Sequence, residues 1–338
     1  MAFNVQDTSY SGTYAPEMIM LELFGMDTVE KGLIYPKGDI KKIHTIDRID
    51  INNVLTPRQA NPTDTGTNGF TIDGRQIIPQ DLQVYKKFNP RDLETNFVVE
   101  MMSETILARE VPDTVESYMM QLVLGRAAES IETGIWQGSR QYQQAGLDET
   151  NPLFQIQFFD GFINLFVNDS LINLSTVSPA AITTANVQTI LDDILTQCSI
   201  KRKGMMSKKD RFKNLKFIMS IATGDIYGRS LTTGTTYKGN SLDSPTISAW
   251  RGFSVETAAG MSENTIVFCH ATPTKNSNLW LGMNSEQDWQ LEMARVTPGS
   301  EEFYILGKWK YAVQYGWGQE IFMFTNLTKN SFILPVVN

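Results

Sequence analysis

A strict alternation of apolar and polar residues near the C-terminus constrains the fold of this 338-residue chain more than any other feature. Lys308, Lys310 and Gln314 occupy one phase of the alternation. The other phase holds Phe303, Ile305, Trp309, Tyr311, Val313, Tyr315 and Trp317. Period-two alternation indicates a long strand with one buried face. We therefore predict a sheet with an aromatic core stripe, in preference to an aromatic ligand platform.

The longest helical pattern covers residues 113–138. A capping box begins at Asp113, and Gly138 is placed as a helix stop. The apolar residues at helical spacing are Val115, Met119, Leu122, Val123, Ala127, Ile131 and Ile135. Glycine inside a helix costs about 1 kcal/mol relative to alanine. We therefore expect a close neighbour at both Gly125 and Gly134.

A second helix is predicted over residues 184–198 and a buried strand over residues 215–220. The apolar stripe of the helix consists of Val187, Ile190, Leu191, Ile194, Leu195 and Cys198. A helix followed by a buried strand is a unit of α/β type.

A basic stretch connects this helix to the strand. Its candidate contact residues are Lys201, Arg202, Lys203, Lys208 and Lys209. One interpretation is a nucleic-acid contact, and the other is a solvated loop or an electrostatic contact with an acidic neighbour. The chain carries a net charge of -8, and no aromatic residue lies among these five, so we favour the second interpretation.

Two extended segments, 41–55 and 77–88, flank a loop rich in Pro, Gly, Asn and Asp. This pattern predicts a long hairpin that leaves the body of the molecule. An isolated two-stranded hairpin is marginal in water, so we expect a second subunit to cover it. The candidate anchors of that contact are Ile43, Ile49, Ile51, Ile77 and Ile78.

The residues that catalysis or metal binding requires are scarce. The chain has two cysteines and two histidines, and none of them has the spacing of a metal site or a catalytic triad. No nucleophile elbow, phosphate loop, zinc-protease or dinucleotide motif is present. Residues 1–16 lack the features of a signal peptide, and no run approaches a membrane span. We therefore expect no catalytic, cofactor-binding or metal-binding residues, no cofactor, no membrane association, and synthesis in the cytosol.

The order of these elements resembles the major capsid proteins of tailed bacteriophages, which have the Hong-Kong-97-like fold. The sequence segments that carry the resemblance are IETGIWQG at 131–138, FDGF at 159–162, LWLG at 279–282, Asp288, and KWKYAVQYGWGQEIF at 308–322. The layout agrees over roughly residues 18 to 326, and the resemblance depends on the order of the segments, since none is specific alone.

The resemblance implies an α+β fold with an N-terminal arm, a long E-loop hairpin, a peripheral domain built on a spine helix, and an α/β axial domain. The implied boundaries are 1–40 for the arm, 41–95 for the E-loop, 96–180 for the peripheral domain with its spine helix at 113–138, 181–285 for the axial domain, and 286–338 for closing peripheral strands and the tail.

The function implied by the resemblance is non-enzymatic: self-assembly into pentamers and hexamers of an icosahedral shell around double-stranded DNA. Its partners would be copies of itself, a portal, a separate scaffolding or decoration protein, and DNA bound without sequence specificity. The location would be the virion, assembled in the host cytoplasm. An encapsulin-like compartment shell is the alternative. The predicted loop at 56–76 contains no lysine, so the covalent cross-linking of some relatives is not expected.

Overall fold

The structure is a computed structural model, and it describes residues 8–10, 26–51, 58, 70–89, 115–178, 180–202, 205–206, 214–232, 249–284, 290–297 and 302–327. The strands are β1 (Thr8–Tyr10), β2 (Tyr35–Lys37), β3 (His44–Ile51), β4 (Phe70–Ile77), β5 (Gln80–Phe88), β6 (Asn173–Leu174), β7 (Leu215–Ser220), β8 (Ala249–Trp250), β9 (Phe253–Ala258), β10 (Thr265–His270), β11 (Leu279–Met283), β12 (Gln290–Arg295), β13 (Phe303–Tyr315) and β14 (Phe322–Thr325). The α-helices are α1 (Asp27–Glu30), α2 (Val115–Gln137), α3 (Phe162–Asn168), α4 (Val187–Lys201) and α5 (Ile221–Thr232).

Strand β13 is the centre of the first sheet. It pairs antiparallel with β5 along one edge and with β12 and then β11 along the other. Its predicted apolar phase is buried from Phe303 to Tyr315, while Lys308 is exposed. The predicted aromatic core stripe is confirmed from Phe303 to Tyr315, because the face that alternates apolar along the strand is the face that packs on the core. Trp317, predicted as its last member, lies beyond the strand and is only partly buried. β1 extends the sheet beyond β12, and β2 pairs parallel with β11.

The second sheet has the strand order β6-β14-β10-β7-β9-β8 among the described residues. All six predicted stripe residues of α4 are buried against it, so this helix–strand unit is confirmed. The sheets interleave in sequence. β11, placed by the sequence with the axial segment 181–285, lies in the first sheet, and β14, placed with the closing strands, lies in the second.

The buried face of α2 differs from the predicted stripe. Ile131 and Ile135 are buried as expected, but Leu122 is 49% exposed. The buried residues of the preceding turns are Met120, Leu124 and Ala128. The side chains of Val115 and Met119 lie outside the described part. The stripe is offset because α2 packs against both α3 and a 3₁₀ turn at Pro152–Ile156, and these contacts select the buried face.

The two helix glycines differ in their surroundings. A Cβ added at Gly134 would lie 3.1 Å from the Phe159 ring, so the expected close neighbour is present there. At Gly125 no described atom lies within 4 Å of such a Cβ, so the described part of the chain does not supply the expected neighbour.

The predicted strand pairing of the hairpin is wrong. β3 pairs with β4, in register from His44↔Ile77 to Ile51↔Phe70, so the second arm lies within the segment predicted as loop. β5 instead joins the first sheet through β13. Pro79 separates β4 from β5; it has no N–H to donate and favours a turn. Leu82 of β5 is then buried in the first core. We call the β3–β4 pair the hairpin.

Candidate intersubunit surface at the hairpin

One face of the hairpin packs on the body of its own subunit. Ile46 and Ile77 on this inner face are 8% and 0% exposed, and they contact Ile40 and Ala312. The His44 ring stacks 6.0 Å from the ring of Trp280. Gly282 of β11 lies under Ile77, and a Cβ there would collide with the Ile77 side chain. Ile77 is therefore an anchor of the hairpin within its own subunit.

A charged cluster fixes the same inner face. Arg75 of β4 forms an ion pair with Asp169, at the end of α3. Its guanidinium also lies 4.1 Å from the centre of the Tyr315 ring. The Tyr315 hydroxyl donates to Asp169, and the Leu171 backbone N–H donates to its other oxygen at 2.8 Å.

These contacts perturb two pKa values. Partial burial of Asp169 acts to raise its pKa, but the hydrogen bonds from Tyr315, Leu171 and Arg75 outweigh it and lower the pKa of the carboxyl group. Burial, followed by the hydrogen bond to Asp169, raises the pKa of Tyr315. Asp169 is therefore an acceptor held in its charged form, and Tyr315 is a donor held in its neutral form.

The outer face of the hairpin is apolar at its root. The ladder begins with His44 and Ile77, and Ile43 and Ile78 are the chain neighbours of these two residues outside the ladder. Ile43 is 56% exposed and Ile78 is 48% exposed. An exposed pair of this kind is available to a partner.

Two more predicted candidates, Ile49 and Ile51, lie farther along β3. Their ladder partners are Ile72 and Phe70. The side chains of these four residues lie outside the described ones, so their role stays a prediction. Sequence reasoning did not place Ile72 and Phe70 in a strand, where the structure has them in β4. The alternation from 70 to 77 was the available signal, but the neighbouring Asp73-Gly74 was interpreted as a turn.

A cleft of about 590 Å³ opens where the hairpin meets α3. Its charged lining residues are Arg75, Arg140, Asp160 and Asp169, and most of the others carry amides. The two positive and two negative charges balance. A cleft without net positive charge lacks the electrostatic term that dominates binding of a phosphate backbone.

A buried carboxylate lies elsewhere, on α2. Glu132 is 4% exposed and accepts from the Thr28 N–H at 3.2 Å, the Thr28 hydroxyl at 2.5 Å and the Gly260 N–H at 3.4 Å. Trp136 donates to the Thr28 hydroxyl at 2.8 Å. Burial outweighs these bonds and raises the pKa of Glu132. The group fastens α1 to α2 through Thr28.

The remaining predicted groups lie apart from the hairpin. Lys201 ends α4 and Arg202 follows it, whereas Lys203, Lys208 and Lys209 lie outside the described residues. Cys198 and Cys269 are buried, and burial raises the pKa of each thiol to about 12. Among the described residues, no group of three His, Cys, Asp or Glu side chains is placed to hold a metal ion. No helix in that part is long and apolar enough to cross a membrane.

Comparison by sequence finds no matching family model and no matching curated protein. Comparison by structure finds shell proteins. A satellite phage P4 procapsid chain is 8% identical with a TM-score of 0.56, covering 92% of this chain and 99% of that one. A capsid chain of an empty GTA particle is 10% identical with a TM-score of 0.54, covering 88% and 90%. The SrpI encapsulin from Synechococcus elongatus is 10% identical with a TM-score of 0.52, covering 96% and 93%.

The chain therefore has the fold of shell-forming capsid proteins. Within that class it is the predicted Hong-Kong-97-like fold, which is confirmed.

Proposed function

We propose that this chain is the major capsid protein of a tailed bacteriophage, a non-enzymatic subunit that assembles into pentamers and hexamers of an icosahedral shell around double-stranded DNA. The observation that carries the proposal is the two-sided hairpin. Its inner face is buried on its own subunit, while its outer face leaves Ile43 and Ile78 exposed as a pair. Exposed apolar side chains are suited to a partner, and closed symmetric assembly supplies the same partner to every copy.

The electrostatics support a shell that lies near DNA without binding it specifically. The chain has a net charge of -8, and the cleft at the hairpin root is balanced in charge. Phosphate binding normally requires clustered positive charge. We include in the proposal a portal, a separate scaffolding or decoration protein, assembly in the host cytoplasm, and location in the virion.

The test is the assembly state of the expressed protein. We expect pentamers, hexamers or closed shells in sedimentation and negative-stain electron microscopy at high protein concentration. A single monomeric species at every salt concentration, with and without a co-expressed scaffold, would contradict the proposal.

An encapsulin-like compartment is the second candidate, since the SrpI encapsulin also matches in fold. The match to the P4 procapsid chain, with a TM-score of 0.56 against 0.52 for the encapsulin, favours the phage shell. Purified particles distinguish the two functions, because a phage shell from infected cells would contain genomic DNA and a compartment would contain a protein cargo.

A further inference from the structure

Two of the contacts that join the hairpin to its own body differ in physical character. The first is the apolar contact of Ile46 and Ile77 with Ile40 and Ala312. Apolar contacts are non-directional, so this one resists separation but tolerates rotation. The second is the Arg75–Asp169 ion pair, in which the guanidinium also covers the Tyr315 ring.

The charged contact is directional. Charge-assisted hydrogen bonds prefer a narrow geometry, and stacking of the planar guanidinium on an aromatic ring further restricts the orientation of the arginine side chain. Arg75 and Asp169 are 24% and 16% exposed at their side chains, so water screens this pair less than a surface ion pair. Beside it, the Gln314 side chain donates to the Gln76 carbonyl at 3.2 Å.

Asp169 is itself held rigidly. It receives the Tyr315 hydroxyl from β13 and the Leu171 N–H from the turn after α3. One carboxylate therefore joins three parts of the molecule: the hairpin, the end of α3 and the central strand of the first sheet. Removing its charge would loosen all three contacts together.

We propose that Arg75 and Asp169 form a latch that fixes the angle at which the hairpin leaves the body, and that this angle sets the curvature at which a second copy docks on the outer face. The inference rests on the proposed shell function. Arg75 pairs with Ile46 in the ladder, five residues from Ile51, which is about 17 Å along a strand. A rotation of the hairpin by about 10° about the latch therefore moves Ile51 by about 3 Å. Such a shift is comparable to an apolar contact distance.

The latch can be measured in the unassembled subunit. We would replace Ile51, at the end of β3 farthest from Arg75, and the exposed residue Arg126 by cysteine, attach spin labels, and record the distance distribution between hairpin and α2. The native cysteines are buried with raised pKa values and leave the labels specific. Asp169→Asn should widen or shift the distribution by about 3 Å. Asp225→Asn, which breaks the exposed Arg229–Asp225 pair, is the matched control and should leave it unchanged.

The consequence for assembly is measured as the diameter distribution of shells by electron microscopy. We expect uniform shells from the wild type and from Asp225→Asn, and mixed diameters or open sheets from Asp169→Asn. Arg75→Gln should reproduce both effects. Because Arg75 lies on the hairpin, this variant should leave the body folded, so it provides the test if Asp169→Asn fails to fold.

Unchanged distances in both latch variants would overturn the latch, and changed distances with uniform shells would overturn its link to curvature. If the wild type forms no shells, the proposed function fails, while the distance measurement still decides whether the latch exists.

Discussion

The double substitution Ile43→Ser and Ile78→Ser should prevent shell closure while the subunit remains folded. The two side chains are 56% and 48% exposed, so about half of each remains to be buried by a partner. Complete burial of an isoleucine contributes about 1.5–3 kcal/mol, and half of that for two residues gives about 2 kcal/mol per contact. Since 1.4 kcal/mol is a factor of ten, the critical concentration for assembly should rise roughly 30-fold.

The assay compares sedimentation and electron microscopy across a concentration series with circular dichroism and thermal melting of the same sample. Substitutions of exposed residues usually change the stability of a subunit by less than about 0.5 kcal/mol, so melting should be almost unchanged. The contrasting variant is Ile77→Ser. Ile77 precedes Ile78 in the chain but lies on the inner face, where it is 0% exposed. The substitution should destabilise the subunit itself by about 3–5 kcal/mol, because it leaves a cavity and buries a hydroxyl group. Normal assembly of the outer-face double variant at wild-type concentrations would refute the reasoning.

Three further predictions concern other parts of the chain. Burial raises the pKa of Glu132, so its contribution to stability is fully present below its unfolded pKa of about 4.5 and is lost as pH rises through the raised value. Glu132→Gln should remove this part of the pH dependence of stability. Identical pH profiles of the melting temperature in the variant and the wild type would contradict the prediction. The thiols of Cys198 and Cys269, with pKa values raised to about 12, should not react with a thiol reagent at pH 8 until denaturant is added, and rapid labelling of the native protein would show that one of them is accessible. Gln substitutions in the basic stretch should leave shell formation and DNA retention largely intact, since a surface charge contact contributes under about 1 kcal/mol. The residues changed are Lys201, Arg202, Lys203, Lys208 and Lys209. Shells that assemble but lose DNA would show instead that the stretch contacts nucleic acid.

The sequence by itself determined the elements whose pattern is local. The alternation through β13 predicted a buried aromatic face, and the 3.6-residue spacing of α4 predicted its six buried residues. Both succeed because the direction of a side chain is set by the period of the strand or helix to which it belongs. The order of such elements, with a few short segments, was sufficient to predict the Hong-Kong-97-like fold.

Only the tertiary structure decided which strand pairs with which and which hairpin face is free. Alternation shows that one face of a strand is buried, but it does not identify the neighbour that buries it. The segment from 80 to 88 could equally have paired with β3, and it joins β13 instead. Arg75 and Asp169 are 94 residues apart, and Asp169 and Tyr315 are 146 apart. No local period relates residues so distant, so the contacts that hold the hairpin exist only after the two sheets and α3 have packed.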